Sequence, residues 1–200
     1  MRHLRRARLS QLHLSDALLN RSSSRLRSRI HSSMDDTENR NDATFRSYRV
    51  LPYPPDAVFL AFARPELLAT WWGPNGFTNT FELFDFKPGG SWKYVMHGPN
   101  DSRFSNESVF LDVHAPFRIV IHHISKPRYV LTVTMTAEAP AGGTAITWTQ
   151  VFEDAAVGAR IRHIVEPANE QNLDRLEAVL AGDDRLHRAH IAALQKDDTI

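Results

Sequence analysis

The chain has 200 residues, 42% hydrophobic and 10% aromatic, with formal net charge +1 and no cysteine. That suits one core-forming domain with tails; it excludes disulfides, thiolate nucleophiles and cysteine-held zinc or iron–sulfur centres, and no run of about 18 apolar residues offers a membrane span. Nine arginines face five acids over residues 1–42, 12 bases face 14 acids over 43–182, and three face four over 183–200, so the foldable part is near neutral and carries no nucleic-acid footprint.

Residues 1–42 read as a disordered basic extension, rich in Arg and Ser up to residue 33. A targeting segment, an RNA-binding arm without aromatics and an over-long start with Met34 as the first residue all fit it. Order is expected from residue 43. Thr44–Leu51 alternates as a strand through Phe45, Tyr48 and Val50, and Pro52, Pro54 and Pro55 end it. Pro55-Asp56 opens a helix over Ala57–Ala63, and Pro65–Thr70 a second, stopped by Trp71-Trp72-Gly73-Pro74.

Six strands follow, at Phe77–Lys87, Ser91–His97, Phe104–His114, Phe117–Ile124, Arg128–Glu138 and Thr144–Phe152, with turn residues between them. Short connections imply an antiparallel meander. After Phe152 the period turns helical. Val157, Ile161, Ile164 and Val165 recur at helical spacing; Pro167 starts a new segment or kinks one helix; Asn169, Asn172, Leu173, Leu176, Val179 and Leu180 then share a face. Glu170, Asp174, Arg175 and Glu177 point toward water. Gly182 stops the helix, and 183–200 is a tail. The domain is therefore 43–182, an α+β fold in which the long helix covers the apolar face of a curved sheet. One helix cannot fill the concavity of a long twisted sheet, so a cavity between them is the default binding site.

Alternation places Phe117, Ile119, Ile121 and His123, then Leu131, Val133 and Met135, then Ile146, Trp148, Gln150 and Phe152, on the inner face. The expected cavity lining is Trp72, Phe77, Phe81, Trp92, Phe110, Ile121, His123, Met135, Trp148, Gln150, Asn169, Asn172 and Leu176. Trp71-Trp72 suits a core plug or a gate over the entrance. Gln150 and His123 are polar groups among apolar ones; they bond each other, bond backbone, or orient a ligand. Asn169 and Asn172 serve a ligand or the free backbone near Pro167. No metal site is expected: His122 and His123 point to opposite faces, and no zinc, phosphate-loop, dinucleotide or serine-elbow motif occurs. His97 or His123 with Glu107 or Glu82 is a conceivable acid–base pair. No cofactor is called for.

Taken in order, Trp71-Trp72-Gly73-Pro74 with Gly76-Phe77, Phe86-Lys87-Pro88-Gly89-Gly90 with Trp92, Met96-His97-Gly98-Pro99, Pro116 with Arg118-Ile119-Val120, Gly143-Thr144, and Asn169 to Leu176 carry a resemblance over about residues 44–181. The chain resembles the SRPBCC (START-like, helix-grip) superfamily, and within it the Aha-type domain similar to the C-terminal half of the activator of heat shock protein 90. The resemblance implies a helix-grip fold, and a fold that elsewhere hosts lipid carriers, cyclases and co-chaperone domains. The reading preferred here is a module for a small hydrophobic molecule. The alternatives are a cyclase- or hydrolase-like enzyme using His123, Gln150 and Asn172, and a chaperone-binding protein. A cytoplasmic location fits, as monomer or homodimer.

Overall fold

A computed structural model describes residues 43–138 and 142–182. The expected extension over 1–42 and tail over 183–200 lie outside the described residues. Strand β1 is Thr44–Leu51. Helices α1 (Pro55–Ala63) and α2 (Pro65–Trp71) each begin on a proline, whose missing N–H costs nothing in the first turn. Strands β2 (Thr78–Phe84), β3 (Ser91–His97), β4 (Arg103–His114), β5 (Arg118–His123), β6 (Tyr129–Glu138) and β7 (Gly143–Phe152) follow, and α3 (Ala155–Gly182) closes the domain.

All seven strands form one antiparallel sheet in the order β1-β7-β6-β5-β4-β3-β2. This is the helix-grip arrangement. The register lines up inward side chains across strands: Phe45, Gln150, Leu131, Ile121 and Phe110 stand opposite one another in one row, and Phe152, Tyr129, His123 and Ser108 in the next. Alternation therefore holds on β5, β6 and β7. It breaks on β4, where a register shift between Phe110 and Asp112 leaves Leu111 exposed and turns Val113 inward. Phe117, expected inside, is half exposed. It sits in the turn before β5, with its N–H bonded to His114 O, and so never enters the alternation.

The core is densely aromatic at one end of the sheet. Phe59 of α1 meets Phe86, which joins a cluster with Phe84, Trp92 and Phe110 at ring-centroid distances of 4.9–5.9 Å, and Phe62 of α1 meets Trp71 of α2 at 4.8 Å and Trp148 at 6.5 Å. Helix α3 runs through Pro167 as one helix and buries only part of its length: Gly158, then Asn169, Asn172, Leu173, Leu176 and Leu180. Ile164, read from its spacing as part of an apolar set, is 60% exposed. On the other flank Arg49 of β1 reaches Glu170, Asp174 and Glu177, fixing the rotation of α3 about its axis.

The two halves of α3 should thus differ in energetic weight. Leu176→Ala should cost about 2–5 kcal/mol of stability and Ile164→Ala less than about 0.5 kcal/mol, both measured by urea denaturation.

Candidate functional site

The cavity begins with the loop after α2. Gly73 has φ of +100°, and a Cβ there would lie 2.5 Å from Met96 Cε. Only glycine lets the chain turn this tightly against β3. The turn drops Trp72 inward, 5% exposed, while Trp71 is fully buried beside α1. Each indole N–H has its own partner: Trp71 donates to Ala61 O at 3.0 Å and Trp72 to the Tyr94 hydroxyl at 3.2 Å. Trp71 is thus a core residue, and Trp72, also buried, forms part of the cavity wall.

Helix α3 holds this loop in place. Arg175, expected to face water, instead donates to four backbone carbonyls: Nη1 to Gly73 O (2.8 Å) and Pro74 O (2.7 Å), Nη2 to Thr70 O (2.7 Å) and Phe77 O (2.9 Å). Thr70 lies in the last turn of α2, so one of these is a helix-terminal carbonyl left without an intrahelical donor. Asn172 Oδ1 accepts the Gly73 N–H at 2.6 Å and Gln171 Oε1 the Asn75 N–H at 2.9 Å. Asn79 of β2 adds Nδ2 bonds to Ala69 O and Trp72 O. The planar guanidinium suits such a cluster of carbonyls; an ammonium cannot span it.

Between this loop, the middle of α3 and strands β3 to β7 lies a cavity of about 530 Å³. Trp72, Tyr94, Tyr129, Leu131 and Trp148 form its apolar wall; Gln150, Asn169, Asn172, Asn106 and His123 are its polar members. It opens past Phe104, Ser105, Lys126 and Pro127, all exposed. Of the thirteen residues expected to line it, Trp72, Phe77, His123, Trp148, Gln150, Asn169 and Asn172 are brought together there. Phe81, Trp92, Phe110, Ile121, Met135 and Leu176 are not. Trp92, Phe110, Ile121, Met135 and Leu176 lie in the packed core, and Phe81 packs against it. Tyr94, Met96, Asn106, Tyr129 and Leu131 line the cavity and were not foreseen. Alternation marks Tyr129 and Leu131 as inward; nothing in the sequence tells which end of each strand stays uncovered.

Gln150 and Asn169 bond each other, Asn169 Nδ2 donating to Gln150 Oε1 at 3.0 Å. Asn172 is committed to backbone, its Nδ2 donating to Ala168 O. His123 stacks on Tyr129, with ring centroids 4.6 Å apart and planes within 6°. Its Nδ1 lies 3.1 Å from Pro127 O and its Nε2 3.0 Å from Asn106 Oδ1. Burial pushes the ring below its ordinary pKa of 6.5, against the opposing pull of the Pro127 carbonyl. Burial holds the Tyr94 and Tyr129 hydroxyls well above theirs, so both stay protonated. The acid–base pairs considered from sequence do not form: His97 bonds Thr80 and Glu107 pairs with Lys93. Among the described residues no group of three or more His, Asp or Glu side chains could hold a metal ion.

The family model for Activator of Hsp90 ATPase homolog 1-like protein matches residues 52–181. No curated protein matches the chain. Solved structures share the fold: a protein from Arthrobacter aurescens at 21% identity and TM-score 0.65, covering 72% of this chain and 88% of its own, and one from Nitrosomonas europaea at 19% and 0.64, covering 70% and 96%. A third, from Chromobacterium violaceum, is 24% identical with TM-score 0.62, covering 70% and 99%. No helix among the described residues is long and apolar enough to cross a membrane.

Two predictions follow from this geometry. Arg175→Lys should leave the sheet intact but speed hydrogen exchange of the Gly73, Asn75 and Phe77 amides, whose N–H groups are hydrogen-bonded in the wild-type loop. For His123 the lowered folded pKa means that the unfolded chain binds more protons just below pH 6.5. Stability from the neutral ring is then complete above that value and falls as pH drops through it. The melting temperature should decline below pH 6.5, and His123→Asn should flatten the decline.

Proposed function

The chain belongs to the Activator of Hsp90 ATPase homolog 1-like family, and on that footing we propose that it is a binding module for a small, mostly apolar, flat molecule held between α3 and the sheet. The observation that carries this reading is the cavity itself. It is a concave opening of about 530 Å³ walled by Trp72, Tyr94, Tyr129 and Trp148, with Gln150 and Asn169 among them. Its size falls within the range of small-molecule sites, which bury a ligand among aromatic walls and orient it with a few polar groups.

Here the walls are aromatic faces. Trp72 and Trp148 lie 5.4 Å apart between centroids, and Tyr129 and Tyr94 complete the enclosure. Such faces favour planar or unsaturated ligands over branched aliphatic ones, through offset and edge-on ring contacts. The Gln150–Asn169 pair retains hydrogen-bonding capacity beyond the bond it makes internally, since each carboxamide carries two donors and an acceptor. That capacity suits one hydroxyl or carbonyl on the ligand.

The test is a titration of the full chain with naphthalene, indole, phenanthrene and medium-chain alcohols. Trp72 and Trp148 should report binding as a saturable change in tryptophan emission. Saturation at about 100 times Kd should add roughly 2.7 kcal/mol to stability, raising the melting temperature by several degrees. Met96→Trp, which fills the cavity from β3, should abolish both signals. If no compound changes either signal in the wild-type chain, the binding reading fails. If a bound compound is turned over, and His123→Asn stops turnover without weakening binding, the domain is an enzyme that uses the same cavity.

A further inference from the structure

The charges around this cavity are one-sided. Its wall contains no carboxylate, and its single Lys or Arg side chain is Lys126, at the mouth. Lys126 also lines a second hollow of about 630 Å³, shared through Lys126 and Pro127 and bounded by Arg128, Phe152, Glu153, Asp154, Val157 and Arg160. The two spaces lie along the same elements. Trp148 and Gln150 of β7 line the first and Phe152, the next inward position, lines the second; Asn169 and Asn172 of α3 line the first and Val157 and Arg160 the second. Between them stands the contact of Tyr129 with Phe152, 5.3 Å between centroids.

The carboxylates of the hollow are already engaged. Glu153 lies 2.8 Å from His122 Nε2, and Asp154 accepts the Val157 N–H at the start of α3. The cations are not. Among the described residues Lys126, Arg128 and Arg160 form no ion pair, and only Arg128 makes a hydrogen bond, to Ile124 O. One exposed positive group, Lys126, thus stands at the mouth of the acid-free cavity, and Arg128 and Arg160 stand exposed in the hollow beside it. A cationic ligand would find no counter-charge in the cavity wall, whereas an anionic group at the mouth would meet Lys126 while its apolar body lies against the aromatic wall.

Resting on the binding reading above, we propose that the ligand is an amphipathic anion: a flat apolar body in the cavity with a carboxylate, or an acid of like charge, at Lys126. Arg128 and Arg160 add to the field that draws the acid group to the mouth, and Lys126 makes the contact. Because the mouth is solvated, the pairing tunes affinity rather than dominating it, and salt weakens it.

The experiment compares three probes of one shape, 2-naphthoate, 2-naphthylmethanol and 2-naphthylmethylammonium, by tryptophan emission on the full chain at low and high salt. 2-Naphthoate should bind about fivefold more tightly than the alcohol at low salt, and the ammonium most weakly. Lys126→Gln should remove the advantage of the acid and leave the alcohol unchanged; since Lys126 is exposed, the fold is not at risk. High salt should shrink the advantage in the wild-type chain only. If acid and alcohol bind equally, or if Lys126→Gln weakens both alike, the anionic head group is wrong while the cavity still binds. If none of the three binds, both readings fall.

Discussion

A half-buried guanidinium bonded to four carbonyls governs this molecule. Arg175 stands on the one helix that crosses the sheet, and its partners all lie in the stretch from the end of α2 to the start of β2. Pro74 O also accepts the Phe77 N–H, and a carbonyl at a helix end or in a loop that is taken from water without a donor is costly. Satisfying these carbonyls from α3 sets the distance between loop and helix. It also sets where Trp72 enters, and therefore where the cavity has its wall. Asn172 and Gln171 repeat the arrangement through the N–H groups of Gly73 and Asn75. The run Gln171-Asn172 to Arg175 thus works mainly as a fastening, with only Asn172 also touching the cavity.

The cavity follows from an unequal division of labour above the sheet. Helices α1 and α2 deliver Phe59, Phe62 and Trp71 to the core, where Phe59 meets Phe86, Phe62 meets Trp148 of β7 and Trp71 meets Phe62 and Trp72. Helix α3 is the other cover, and the half of it bearing Leu173, Leu176 and Leu180 is the half that packs. Where α3 carries Asn169 and Asn172 instead of large apolar groups, it does not fill the concavity. Two carboxamides at that place cost packing energy that leucines would supply. Local departures of this kind from the best core are expected where a site is built.

The polar groups inside are handled without charge. Gln150 bonds Asn169, Asn172 bonds backbone, and His123 lies flat on Tyr129 with the Pro127 carbonyl at Nδ1 and the Asn106 carboxamide at Nε2. Burial lowers the histidine and raises both tyrosines, so the interior stays neutral near pH 7. Full charges appear only at the rim, where water still screens them.

Much of this is written in local pattern. Alternation places Ile119, Leu131, Val133, Ile146, Trp148 and Gln150 on the inner face because successive side chains of a strand must point to opposite sides, and the helical period after Phe152 marks Leu173, Leu176 and Leu180 for the same covalent reason. Prolines and glycines bound the elements, and with them the helix-grip fold. Pattern says which side a residue faces, but not what lies above it. Phe81, Trp92, Phe110, Met135 and Leu176 face inward as expected yet meet solid core, whereas Tyr94 and Tyr129, on the same sheet face, meet open space. A bulge reversed the far end of β4, and a turn kept Phe117 out of its strand. Arg175 looked like any solvent-facing arginine because its partners are backbone carbonyls about 100 residues away, and backbone carbonyls leave no mark in sequence. Short-range stereochemistry thus determined the elements and their faces. Which region stays empty, and which groups close it, was decided by the docking of distant segments, a property of three-dimensional packing alone.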